Sequence, residues 1–252
     1  MSKANAIECG APPVRPMQAA VKRGFDVVSS AVVLLLTAPL LALVALLIKC
    51  TSPGPVFYRA RRAGRFGVPF AMLKFRTMRT GTDSHDRKIT DDGDDRITPL
   101  GRLLRATKID ELPQLWNVLR GDMSIVGPRP EDQDLVDRHY TPALRRALET
   151  RPGIACTAEV RWYPDLTWHD PPPPGVPLQQ HYIARHLPAQ AAEGVRYRDT
   201  QSLWLDLSVI ARTLWCVAVH SLRPPARRPL TDADLRAPEP PTARTPAREA
   251  CP

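Results

Sequence analysis

The chain has 252 residues, of which 43% are hydrophobic, with five cysteines and a formal net charge of +9 at pH 7. This length allows one domain with appendages. The scattered cysteines show neither disulfide nor metal-site spacing, and a basic excess beside one long apolar segment points to a membrane surface and away from nucleic acid.

Residues 1–20 are rich in Ala and Pro with little periodicity, and read as a flexible lead. Residues 21–50 form the membrane element. Its core, Val27–Ile48, reads VVSSAVVLLLTAPLLALVALLI and carries no charge. As a helix it would extend roughly 33 Å, against about 30 Å of bilayer hydrocarbon. It starts late, is long and lacks a clear cleavage site, so it is not an ordinary signal peptide. Pro39 near its middle removes an amide donor and clashes with the preceding turn, which bends or breaks a helix. Lys22 and Arg23 precede the run, while Lys49, Arg59, Arg61, Arg62 and Arg65 follow it. Positive residues prefer the cytoplasmic face. Positives at both ends therefore favour a re-entrant hairpin over a spanning helix or a buried soluble one. Ser29, Ser30 and Thr37 are candidates to satisfy backbone groups at the bend. Arg23 and Asp26 have the spacing to pair on one helix face.

Residues 51–220 read as the cytosolic domain. Thr51–Pro55 (TSPGP) forces a turn, Val56–Tyr58 suits a short strand, Arg61–Gly67 a basic turn and Phe70–Met78 an extended segment. Thr80–Asp95 is polar and acidic and reads as a mobile loop; its DDGDD run lacks calcium-loop spacing. Pro99 opens a helix that buries Leu100, Leu103 and Leu104. Lys108–Leu119 reads KIDELPQLWNVL and suits one amphipathic helix or two pieces separated near Pro113. A turn-rich GDMSIVGPRP follows at Gly121–Pro130, then a helical pattern over Glu131–Thr150 that ends at Arg151–Ile154. Trp162–Pro177, with Pro171–Pro174 consecutive, is a loop, and Leu178–Leu187 a short helix. Ser202–Val219 is an apolar helix carrying Asp206 and Arg212, suited to the core or to lying on a membrane. Residues 221–252 are a Pro- and Arg-rich tail with a disordered composition.

Asp110 and Glu111 are the leading chemical candidates, adjacent acids within an apolar frame. Neighbouring helical residues project about 100° apart. One would attack while the other held or oriented a metal. A carboxylate is a competent nucleophile at phosphorus, with Mg2+ offsetting the charge repulsion. The plain alternative is an acidic surface pair or helix N-terminal charges. Arg105, Arg129 and Arg151 are candidate phosphate clamps, because a guanidinium fork matches two phosphate oxygens. Each is equally suited to capping a helix or pairing an acid.

The chain resembles the bacterial sugar transferase family of monotopic phosphoglycosyl transferases. The matching blocks are KRGFDVVSS at Lys22–Ser30, SPGPVFYRARRAGRFG at Ser52–Gly67, LKFRTM at Leu73–Met78, ITPLGRLLRATKIDELPQLWNVLRGDMSIVGPRP at Ile97–Pro130, RPGI at Arg151–Ile154 and SLWLDL at Ser202–Leu207. The resemblance implies a mainly helical α/β monotopic membrane protein with a re-entrant helix broken at Pro39. It implies that a UDP-sugar donates its sugar 1-phosphate to polyprenol phosphate, typically undecaprenyl phosphate. UMP leaves, and a covalent phosphosugar on Asp110 is the intermediate. Mg2+ is the implied cofactor, with Asp110 and Glu111 as its ligands, and Arg105 and Arg129 match the family's phosphate-site arginines. The implied setting is the cytoplasmic face of the bacterial inner membrane. There the lipid product passes to downstream glycosyltransferases of exopolysaccharide or lipopolysaccharide assembly, and homo-oligomers are compatible with it. One departure stands out. After RPGI many relatives carry a Gly-Trp-Ala-Gln-like stretch and an Asn-Gly-Arg-like turn, where this chain reads ACTAEVRWYPD at Ala155–Asp165. The transferred sugar is therefore not assigned. Competing readings are a non-catalytic membrane assembly protein and a Mg2+-dependent lipid phosphatase.

Overall fold

The computed structural model describes residues 16–81, 94–163 and 169–220. Helix α1 (Pro16–Thr51) comes first, followed by strands β1 (Phe57–Ala63) and β2 (Pro69–Phe75). Then come α2 (Pro99–Ala106), a 3-10 turn (Ile109–Glu111), α3 (Gln114–Arg120), β3 (Ser124–Val126), α4 (Gln133–His139), α5 (Pro142–Arg145) and β4 (Gly153–Ala155). The chain continues with α6 (Thr157–Arg161), α7 (Leu178–His181), α8 (Leu187–Thr200) and α9 (Leu203–His220). The described residues are mostly helical, with two small sheets. β1 and β2 pair antiparallel with Ala60 opposite Met72, and β3 and β4 pair in parallel.

Helix α1 is continuous, with Pro39 inside it. The break expected at Pro39 is therefore not an interruption of the helix. Proline forfeits one backbone bond, and the remaining ladder carries the helix through. The Thr37 hydroxyl donates to the Val33 carbonyl at 2.7 Å and Ser29 donates to the Phe25 carbonyl, a back-bonding pattern that bends helices slightly. Ser30 is buried, and its hydroxyl has no partner among the described residues. By length and composition α1 is able to cross a membrane, and its middle is bare: Leu35 is 77% exposed and Leu36 72%.

Both ends of α1 dock on the same body. Near the start, Arg23 donates to the Val118 and Leu119 carbonyls at 2.7 and 3.0 Å, placing a cation at the C-terminal end of α3. Buried Asp26 accepts from Ser124 Oγ at 2.8 Å and from the Ile125 amide at 3.2 Å. Lys22 reaches Asp206 of α9 at 2.7 Å. Arg23 and Asp26 thus do not form the pair that their spacing suggested. Arg23 instead takes up carbonyls at the end of α3, and Asp26 takes up a hydroxyl and an amide of β3. Near the end of α1, Val44 and Ile48 are buried with Phe75 and Leu104.

Several boundaries differ from the sequence reading. β1 runs on through Arg61 and Arg62, so the basic turn shrinks to Gly64–Val68, where Phe66 and Gly67 take positive φ. The helical pattern over Glu131–Thr150 is divided into α4, α5 and a 3-10 turn, because Pro142 cannot continue α4. The helix expected over Leu178–Leu187 extends to Thr200 through a π turn at Tyr182–His186. α9 meets the core alternative on one face. It buries Val209 and Asp206 against the domain and leaves Trp204, Leu214 and Trp215 exposed. The tail at 221–252, most of the acidic loop, residues 1–15 and residues 164–168 lie outside the described residues. Where the acidic loop is described, Asp94 is held by Arg96 through its side chain, which lowers the carboxyl to about 2.

Candidate active site

Local backbone geometry sets up the acidic pair. Thr107 closes α2, its hydroxyl donating to the Leu103 carbonyl at 2.8 Å. Lys108 then takes φ 58° and ψ 13°, the left-handed region that an L-residue with a long side chain rarely adopts. That reversal feeds the 3-10 turn carrying Asp110 and Glu111, and Pro113 starts α3 beyond it. The segment is therefore two helical pieces divided at Pro113. Ile109 packs against Val44, Ile48, Phe75 and Leu104, so the end of α1 forms part of the floor under the turn.

The two acids sit in opposite electrostatic conditions. Asp110 is 5% exposed, and its Oδ1 has no hydrogen-bond partner among the described residues. Burial, then the charge of Glu111, pushes its carboxyl up to about 6. Glu111 is opposed by burial too, but Lys74 and Lys108 outweigh it and hold that carboxyl down at about 2. Lys74 Nζ lies 2.9 Å from Glu111 Oε1. Lys108 is held charged chiefly by Glu159, against burial, with help from Glu111 and Asp110. The site thus has one firmly ionised acid and one acid with an unengaged oxygen, with cations around both.

Among the candidate arginines, Arg105 contributes positive charge at Asp110 and donates from Nε to Thr77 Oγ1 at 2.9 Å. Arg129 donates to Glu159 Oε1 at 2.7 Å and faces Glu131 at 3.5 Å. It also acts on Lys108 and Glu111, so it belongs to the same charge cluster. Arg151 is placed elsewhere. Its Nε donates to the Gly121 carbonyl at 2.8 Å, and its strongest charged neighbours are Arg65, Arg23 and Asp26.

Sequence reasoning missed Lys74, Lys108 and Glu159. Lys74 is in the LKFRTM block and Lys108 directly precedes the acids, but no spacing rule links either to Glu111. A cavity of about 240 Å³ opens beside the pair. Lys108, Glu111, Glu159 and Tyr163 supply its polar lining, and Val33 of α1 and Leu214 of α9 contribute apolar wall. The cavity thus brings ionic side chains and apolar side chains of α1 and α9 around one space.

A second cluster was also missed. Asp170, His181 and His186 form a buried Asp/His group whose ligand atoms all lie within 4.8 Å of one another, an arrangement able to hold a divalent metal.

Comparison with known proteins gives the chain a family. A sequence model described as Bacterial sugar transferase matches residues 17–220. A UDP-glucose:undecaprenyl-phosphate glucose-1-phosphate transferase of Caulobacter vibrioides is 44% identical over 77% of this chain and 68% of its own length. A UDP-N-acetylgalactosamine-undecaprenyl-phosphate N-acetylgalactosaminephosphotransferase of Aeromonas hydrophila is 41% identical over 58% of this chain, which spans 35% of that relative. The exopolysaccharide production protein ExoY of Rhizobium meliloti is 34% identical over 82% of this chain and 89% of its own length.

Proposed function

The chain belongs to the bacterial sugar transferase family, and we propose that it transfers a sugar 1-phosphate from a UDP-sugar to a polyprenol phosphate through a phosphosugar carried on Asp110. The observation that carries this reading is the contrast within the acidic pair. Asp110 is buried with an unpartnered oxygen and a carboxyl raised to about 6, beside Glu111 held down at about 2. A raised carboxyl still mostly ionised at neutral pH is a better nucleophile than one saturated by hydrogen bonds.

In the first step an Asp110 carboxylate oxygen bonds to the sugar-linked phosphorus. The bond from that phosphorus to the bridging oxygen breaks, and UMP departs with the oxygen. In the second step an oxygen of polyprenol phosphate bonds to the same phosphorus. The acyl phosphate bond breaks, Asp110 regains its carboxylate, and a polyprenol diphosphate sugar leaves. Lys74 and Lys108 fix the charge of Glu111, and Arg105 and Arg129 lower the cost of bringing two anionic reactants together. Asp110 and Glu111 offer adjacent oxygen ligands of the type Mg2+ takes, and the unpartnered Asp110 Oδ1 fits that role. The ion, when bound, would neutralise phosphate charge.

The same reading places α1 in the bilayer with both ends on the cytoplasmic side. Its support is that Lys22–Asp26 and Val44–Ile48 dock on one body, which about 30 Å of hydrocarbon between them would not permit. In this arrangement residues 51–220 are the catalytic unit, and the lipid substrate reaches the cavity along α1 and α9. The decisive experiment incubates the protein in membranes with polyprenol phosphate and a panel of UDP-sugars, including UDP-glucose and UDP-N-acetylgalactosamine. UMP release and a lipid diphosphate sugar identified by mass are expected. Release of inorganic phosphate in their place, or no UMP with any donor, would overturn the reading.

A further inference from the structure

We propose that Asp170, His181 and His186 form a structural site for one divalent transition-metal ion of the zinc type, distinct from the Asp110–Glu111 pair, which fastens the loop containing Pro171–Pro174 to the helical stretch Leu178–Thr200. Residues five apart on a regular α-helix lie about 140° apart around the axis. His181 and His186 nonetheless meet, because the helix widens to a π turn at Tyr182–His186 between α7 and α8. Such turns are rare and concentrate at functional sites. Here the widening puts two imidazoles against one aspartate, with ring centroids 4.9 Å apart.

The donor set is specific. His181 Nε2 lies 3.0 Å from Asp170 Oδ2 and 3.1 Å from the Asp170 carbonyl oxygen. His186 Nε2 lies 3.1 Å from each of the same two oxygens. In a tetrahedral zinc site with bonds of about 2.0–2.1 Å, neighbouring ligand atoms stand about 3.3 Å apart. The imidazole-to-Asp170 separations thus fall a few tenths of an ångström inside that spacing, and all the ligand atoms lie within 4.8 Å of one another. His186 is fully buried and His181 nearly so. Arg185 Nε donates to Asp170 Oδ2 at 3.0 Å. A carboxylate has about four lone-pair sites, so Arg185 acts as the outer partner that orients a ligating carboxylate. Two imidazoles and a single carboxylate suit zinc and its neighbours, whereas Mg2+ takes oxygen ligands in octahedral geometry.

The site bears on the charge cluster as well. Tyr182, within the π turn, donates to Glu131 Oε1 at 2.8 Å, and Glu131 faces Arg129. An ion that locks the π turn therefore steadies the chain of contacts reaching Arg129.

The test uses the full chain purified in detergent, stripped with EDTA and then dialysed against Zn2+ or Co2+. Expected results are one Zn2+ retained per chain, an EDTA-reversible rise in melting temperature, and visible Co2+ bands of a nitrogen- and oxygen-ligated tetrahedral ion. Asp170→Asn and His181→Gln should each lose that equivalent and those bands. Thiolate-type Co2+ absorption, or an equal zinc content in wild type and both variants, would overturn the proposal. The wild-type arm stands alone should a variant fail to fold: no bound equivalent and no metal-dependent melting shift would mean a cluster held by hydrogen bonds only.

Discussion

Replacing Asp110 with Asn should abolish catalysis and stabilise the fold at once, a combination that tests the electrostatic reading directly. The carboxyl is raised from 3.8 to about 6, mainly by burial. At about 1.4 kcal/mol per pKa unit, keeping it ionised in the folded protein costs up to about 3 kcal/mol. The group is 5% exposed, so solvent screening removes little of that cost. Asparagine has the same shape without the charge, and Oδ1 has no existing hydrogen bond to lose. A gain of about 1–3 kcal/mol corresponds to roughly 3–10 °C in melting temperature for a domain of this size. The sign of the pH dependence is fixed as well. Above pH 6 the folded and unfolded carboxyls are both ionised and the full cost is present. As pH falls from about 6 towards 3.8 the folded state takes up its proton first, so the variant's advantage shrinks and then vanishes. The assays are thermal melts of both proteins between pH 4 and 8, and intact-protein mass spectrometry after UDP-sugar addition. A melting temperature unchanged or lowered at pH 7.5, or a normal phosphosugar adduct on folded Asp110→Asn, would refute the reasoning.

Lys74→Met removes the cation 2.9 Å from Glu111 and the strongest charge holding down both carboxyls, so the acid limb of the pH–rate profile should move to higher pH; an unmoved limb would separate Lys74 from the acids. Asp206→Ala leaves Lys22 without its 2.7 Å partner and Tyr197 without an acceptor at 2.7 Å, and should destabilise the chain by about 3–5 kcal/mol, read from denaturation in detergent. Single-cysteine reporters at positions 15 and 52 in an otherwise cysteine-free chain should be equally protected in sealed right-side-out vesicles. Exterior labelling at position 15 alone would show that α1 crosses the bilayer. Pro39→Ala, which restores an amide donor, should straighten the helix and increase any such labelling.

Elements specified by neighbours in sequence were legible in the chain itself. The uncharged run Val27–Ile48 required a long apolar helix, Pro99 marked the start of α2, Pro113 marked where the IDELPQLW segment could divide, and Asp110 and Glu111 stood out by chemistry alone. Each depends on interactions within a few residues, where backbone sterics and side-chain periodicity suffice. The tertiary structure decided what surrounds the acids. The β1–β2 hairpin delivers Lys74, a left-handed residue delivers Lys108, and α6 delivers Glu159, so that two adjacent carboxyls acquire opposite shifts. It also decided where α1 is anchored, since Arg23 and Asp26 satisfy α3 and β3 and not each other. A π turn invisible to periodicity brings His181 and His186 to Asp170. Charge partners and buried hydrogen bonds act through space and depend on local burial, and neither quantity exists until distant segments have packed.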